Sequence, residues 1–167
     1  DLFQYVYEHR DEFYSIYGER DVKRKIQNVW GGGANRFVNK EGDQLVLDKK
    51  GFKRYVKRME KANVDGWEDI ASGAEMMNAE KLGDWKTYIA LGTERIKQGK
   101  VSDLLLYNWG LRVNKQCKDK ALRLLAARWF DDAVVKAAKN EVERKGNMMS
   151  YRTFFEKLAK DLKADVQ

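Results

Sequence analysis

The sequence predicts an all-α chain of seven or eight helices stacked as antiparallel hairpins, and three observations carry that expectation. Proline is absent from all 167 residues; sandwiches, barrels and long loops recruit it for turns, whereas helices exclude it from their interiors. Apolar residues recur at intervals of three and four along most of the chain, the spacing of one helix face. Glycines and capping residues punctuate those stripes at roughly the length of ordinary globular helices. With 43% hydrophobic and 35% charged residues, the chain has a core to bury and a solvated exterior. Disorder is excluded on that balance, and the length suits a single helical-hairpin domain spanning residues 1–167.

The elements follow in order. Leu2, Val6, His9, Phe13 and Ile16 mark one helix or a pair of short ones ending at Gly18. A second begins near Glu19 with Val22, Ile26, Val29 and Phe37 on one face. Gly31, Gly32 and Gly33 interrupt it; each costs a helix about 1 kcal/mol relative to alanine, so a kink, a break or a closely approaching neighbour is expected. NKEGDQLVLDKKG could turn at Gly42-Asp43 into a small hairpin, but with only Leu45, Val46 and Leu47 to pack, an ordered loop is expected.

From Asp48 the helical pattern resumes. Phe52, Val56 and Met59 form a stripe that stops at Asn63. Asp65 caps the next helix, with Trp67, Ile70, Ala74, Met77 and Leu82 inward and Gly83 as its stop. Asp84 caps another, where Trp85, Tyr88, Ile89, Gly92 and Ile96 align before Gly99. Ser102 or Asp103 opens a helix through Leu105, Trp109 and Val113, and Asp119 opens one running to about Lys139. Ser150 caps the last, with Phe154, Phe155, Leu158 and Leu162.

Catalytic chemistry finds little support. Cys117 is the only cysteine, which excludes an intrachain disulfide, a thiol pair or a cysteine zinc cluster. Within a helical stretch it reads as a packed thiol. His9, the only histidine, lies on an apolar helix face and reads as a buried, hydrogen-bonded ring rather than a base. Glu8, Asp11 and Glu12 beside it lack the spacing of a metal motif, and Gly31 to Gly33 are not followed by the lysine and hydroxyl residue of a phosphate loop. Asp131 and Asp132 are helix neighbours that point apart. No catalytic residue, metal ligand or cofactor is expected, and no apolar run reaches the length of a membrane span.

A net charge of +7 raises nucleic acid as a partner. KKGFKRYVKRMEK concentrates seven cations and two aromatics, but Lys49, Lys53 and Lys57 fall opposite Phe52, Val56 and Met59. That is an amphipathic helix with a solvated face. Residues 1 to 99 hold 18 basic and 17 acidic groups while residues 100 to 167 hold 15 and 9, so the excess lies outside this segment. Nucleic acid is therefore disfavoured as a partner, and a general attraction to acidic surfaces is the rival to protein binding. Trp30, Trp67, Trp85, Trp109 and Trp129, about one per helix after the first, read mainly as core. Partner-binding candidates are the crowded Tyr5, Tyr7, Tyr14 and Tyr17, together with Trp67.

In ALRLLAARWFDDAV, Ala126, Phe130 and Ala133 place a small, a large and a small residue on one face, which admits a neighbouring helix closely. Together with YNWGLRVNKQCKDKALRLLAARWFDDAV, SYRTFFEKLAKDL and the opening FQYVYEHRDEFYSIYGERDVKRKI, this resembles the tetratricopeptide-like helical extension at the C-terminal side of certain bacterial thioredoxin-like proteins. The tetratricopeptide consensus is incomplete, because the first helix of the repeat lacks its full aromatic and glycine series and no proline follows the second. The resemblance implies an array of helical hairpins acting as an accessory interaction module. Its partner would be a protein, a peptide or its own thioredoxin-like domain, in a periplasmic or otherwise exported setting. It also implies that the redox domain lies outside this chain, since no pair of cysteines two residues apart is present.

Overall fold

The computed structural model of the chain describes residues 2–34, 36–143 and 151–164. Among them run ten helices and one small strand pair, so the chain is mostly helical as its pattern predicts. It divides into two compact units, Asp1–Leu82 and Gly83–Gln167. The division falls at Gly83, which ends one helix with φ +69°, directly before Asp84, whose carboxylate caps the next.

In the first unit, α1 (Leu2–Glu8) and α2 (Arg10–Tyr17) are the short pair, and Gly18 ends α2 at φ +83°. α3 (Glu19–Ala34) runs through all three glycines without a break. Close approach is what the glycines serve, at Gly33. A methyl group there would overlap the hydroxyl of Tyr55, which donates a 2.9 Å hydrogen bond to the Trp30 carbonyl. The buried face is Val22, Ile26, Trp30 and Ala34. Contrary to the predicted stripe, Val29 is exposed and Phe37 lies beyond the helix, because four-residue steps to Trp30 and Ala34 rotate the inward face past Val29.

The expected ordered loop is instead an antiparallel hairpin of β1 (Val38–Glu41) and β2 (Gln44–Leu47), with Val38 opposite Leu47 and Glu41 opposite Gln44. Gly42 takes the φ of +62° that the tight turn needs. An isolated strand pair is marginal in water, but this one lies against α5 (Trp67–Leu82). Phe37 at its base meets Phe52 and Tyr55 at ring distances of 5.7 and 5.4 Å. Those rings belong to α4 (Lys49–Lys61), which starts where Asp48 accepts from the Gly51 amide at 2.8 Å and stops before Asn63 at φ +50°.

Asp65 does not cap α5. The carbonyls of Val64 and Gly66 accept the first turn's bonds, while Asp65 receives Gln27 on its carbonyl and faces Lys23 with its carboxylate. Met77, expected inside, is 40% exposed, and Ala74, Met76, Asn78 and Ala79 are buried. Two adjacent methionines leave the phase of this helix open to packing. Val22, Ile26, Trp30, Met59 and Val64 form the core of the unit.

In the second unit the caps fall where the sequence places them. Asp84, Ser102 and Asp119 accept backbone amides at the starts of α6 (Trp85–Lys97), α7 (Asp103–Gln116) and α8 (Lys120–Ala127). The single helix expected from Asp119 to Lys139 is two, broken at Arg128 before α9 (Trp129–Glu143). There the Arg128 amide reaches back to Leu125 and the Asp131 amide to Arg128, short-period bonds that tighten the turn. α10 (Arg152–Lys163) buries Phe155, Leu158 and Leu162 against α7, α8 and α9, while Phe154 is partly exposed. Ser150, its expected cap, lies outside the described residues.

Ala126 and Phe130 are fully buried and Ala133 is half-buried. The small residue that receives Phe130 is Gly110 of α7. A methyl group at Gly110 would overlap the Phe130 ring and lie 2.7 Å from Leu158 Cδ2. A buried arginine ties the same helices. Arg123, 5% exposed, donates to the Asn114 carbonyl at 2.8 Å, the Asn114 side-chain oxygen at 2.9 Å and the Asp161 carbonyl at 2.7 Å. Both carbonyls lie in the last turn of their helices, where the helix dipole is negative and favours a cation.

Candidate functional site

The aromatic candidates separate by exposure. Tyr5 and Tyr17 are more than half exposed, whereas Tyr7, Tyr14 and Trp67 are half-buried against the core of the first unit. His9 stacks on Tyr5 with ring centres 4.1 Å apart, and its Nδ1 lies 2.9 Å from the Tyr5 carbonyl. It is hydrogen-bonded as expected, but half-buried rather than buried, because it lies at the junction between α1 and α2 and not within a helix face.

Tyr7 and Tyr14 line a polar pocket of about 300 Å³ with Arg10, Glu19, Lys23 and Asp65. Lys23 Nζ lies 2.6 Å from Glu19 and 3.6 Å from Asp65, and the Glu19 hydrogen bond holds its ammonium above the ordinary lysine range. The Arg10 guanidinium sits 5.1 Å over the Tyr7 ring and donates to the Tyr7 carbonyl. Most of this pocket's charge is thus matched within its own walls.

The second unit carries a larger groove of about 740 Å³. Ile89, Leu106, Leu122, Leu125 and Trp129 supply apolar walls, and Ala133 lies along it. Trp129 is fixed because its indole donates to Thr93 Oγ1 at 2.8 Å, and Thr93 donates to the Ile89 carbonyl. Charges of both signs stand at the rim, among them Lys97, Arg128 and Lys136 against Glu94, Asp103 and Asp132. Such walls suit apolar side chains of a polypeptide, with the rim setting its orientation. The sequence offered no direct sign of this groove, because its walls come from both sides of the Arg128 break. Ala133, read there as a packing residue, turns part of its surface toward the groove.

Cys117 is 1% exposed, and its thiol lies 3.7 Å from the Asp119 carbonyl. Burial pushes its pKa up, the opposite of what a nucleophilic thiol needs. Among the described residues no group of three or more histidine, cysteine, aspartate or glutamate side chains could hold a metal ion, and no helix is long and apolar enough to cross a membrane. The chain matches no family model, and no curated protein and no solved structure is detectably similar to it.

Proposed function

We propose that the chain is a non-catalytic interaction module that receives a polypeptide segment in the groove of the second unit. The observation carrying this reading is the groove itself: about 740 Å³ of open space with aliphatic and indole walls and rims of both charge signs. Its size falls in the range of ligand-binding clefts. The close seat of Phe130 on Gly110 supports helical hairpins packed in a tetratricopeptide-like manner, with α10 as the closing helix. The sequence resemblance supports a role as accessory to a thioredoxin-like domain, in an exported setting. Of the aromatic partner-binding candidates, Tyr5 and Tyr17 are the exposed ones that could contact such a domain. The buried, raised-pKa thiol of Cys117 supports a chain that does no thiol chemistry of its own.

The test is a fluorescence-anisotropy titration with an array of labelled amphipathic peptides of about 15 residues. Leu125→Glu adds a charge to a side chain that is 44% exposed on the groove wall, so the fold survives it. Binding should fall at least tenfold in that variant and stay unchanged in Lys53→Gln of the other unit. Absence of binding across the array, or binding indifferent to Leu125→Glu, overturns the proposal.

A further inference from the structure

A surface in the first unit points to a different class of partner. α4 carries Lys49, Lys50, Lys53, Arg54, Lys57, Arg58 and Lys61, and every one is exposed. None forms an ion pair with any described residue. Several cations on other helices do have acidic partners: Lys23 with Glu19, Arg24 with Asp21, Arg152 with Glu156 and Lys157 with Asp161. The sequence of the first unit contains equal numbers of acidic and basic residues. The cations are therefore segregated onto one helix rather than in excess.

That segregation has a cost. Lys49 and Lys53, Lys50 and Arg54, Lys53 and Lys57, Arg54 and Arg58, and Lys57 and Lys61 are like charges four residues apart. Like charges at this spacing destabilise an exposed helix, and α4 carries five such pairs. Lys49 and Lys50 add to it by standing at the positive end of the helix dipole. A merely solvated face is usually relieved by alternating acids, whereas α4 has Glu60 alone on its exposed side.

Geometry selects the partner. At 3.6 residues per turn the seven cations spread over one full half of the helix circumference, along about 20 Å of axis. A flat anionic surface meets only the outermost row of such a convex face. A partner that curves around it, with negative charge on both walls, meets all of it. The major groove of B-form DNA, about 12 Å wide and walled by phosphates, has that shape and admits an α-helix. The deep, narrow major groove of A-form RNA does not. Phe52 and Tyr55 turn inward to Phe37, so the exposed face has no aromatic platform on which single-stranded bases could stack.

We infer that α4 is a docking face for double-stranded DNA, entering the major groove and binding phosphates without sequence preference. The surface is independent of the peptide groove of the second unit. The test uses the whole chain and a labelled 20-base-pair duplex of mixed sequence, with anisotropy read between 50 and 200 mM salt. Engagement of about five phosphates weakens binding about 500-fold over that range, and the Lys53→Gln/Arg54→Gln/Lys57→Gln variant reduces the loss to roughly 12-fold. The variant's unchanged circular dichroism shows that the fold is kept. Lys86→Gln/Lys97→Gln/Lys136→Gln removes equal charge from the second unit and leaves the slope unaltered. A slope insensitive to the α4 variant overturns the inference. So does equal, α4-dependent binding to single-stranded DNA, duplex RNA or vesicles containing 30% anionic lipid, because each removes the groove from the argument.

Discussion

Gly110 and Gly32 are both helical glycines, yet replacing each with alanine should move stability in opposite directions. Alanine is the better helix former by about 0.5–1 kcal/mol in either position. At Gly32 nothing stands within 4 Å of an added methyl group, so the full gain is expected. At Gly110 the methyl carbon would lie 2.8 Å from Phe130 Cε2 and 2.7 Å from Leu158 Cδ2, and would overlap Phe130 Cζ. Carbon atoms prefer about 3.5–4.0 Å, so the ring or the leucine must withdraw by about 1 Å. Phe130 is 0% and Leu158 2% exposed, which leaves neither much room. Overpacking of this kind costs about 1–3 kcal/mol, so Gly110→Ala should destabilise by about 0.5–2 kcal/mol after the propensity gain. Urea unfolding of the two variants beside the parent chain reads the difference directly. A double-mutant cycle adds a check, since Phe130→Leu should cost less beside Ala at 110 than beside Gly. If Gly110→Ala stabilises the chain as Gly32→Ala does, the close helix approach is not what places glycine there.

Two further outcomes follow from buried polar groups. Arg123→Met should destabilise the second unit by about 1–3 kcal/mol, because it strands the part-buried Asn114 and Asp161 acceptors. Arg123→Lys should recover only part of that loss, since one ammonium does not reproduce a fork spanning two helix ends; urea midpoints equal to the parent's for both variants would refute the role. Burial raises the Tyr55 pKa above its ordinary value, so its neutral form supports folding fully below about pH 10 and the support fades as pH rises through the folded value. Tyr55→Phe loses the bond to Trp30, about 0.5–1.5 kcal/mol, and its stability deficit should narrow in alkali. Cys117 titrates in the same direction but is common to both chains and cancels; a deficit constant from pH 8 to 11 would contradict the assignment.

Local signals were legible where one residue's chemistry decides a boundary. Asp84, Ser102 and Asp119 bind the amides of the helices they begin, and Gly18, Gly83 and Gly99 sit at positive φ where helices stop. Asp65 failed the same reading because its carboxylate found Lys23, a residue on another helix. The aromatic candidates were legible as a crowded group, but which of them stayed outside was not: Tyr7 and Tyr14 meet the core while Tyr5 and Tyr17 do not. The cationic character of α4 is written in its residues. That no described acid comes to meet them is a property of the folded unit.

Composition, spacing and capping by themselves determined an all-α chain, most of its helix ends and the burial of Ala126 and Phe130, because these depend on residues within a few turns of one another. Tertiary structure decided what depends on distant partners. It kept α3 continuous so that Tyr55 could settle over Gly33, and it propped a weak hairpin against α5. It broke one expected helix at Arg128, opening the groove beside Trp129, and set Gly110 beneath Phe130. The physical reason is common to all of these: hydrogen bonds and caps act along the chain, whereas the space a side chain fills is set by whichever helix arrives across from it.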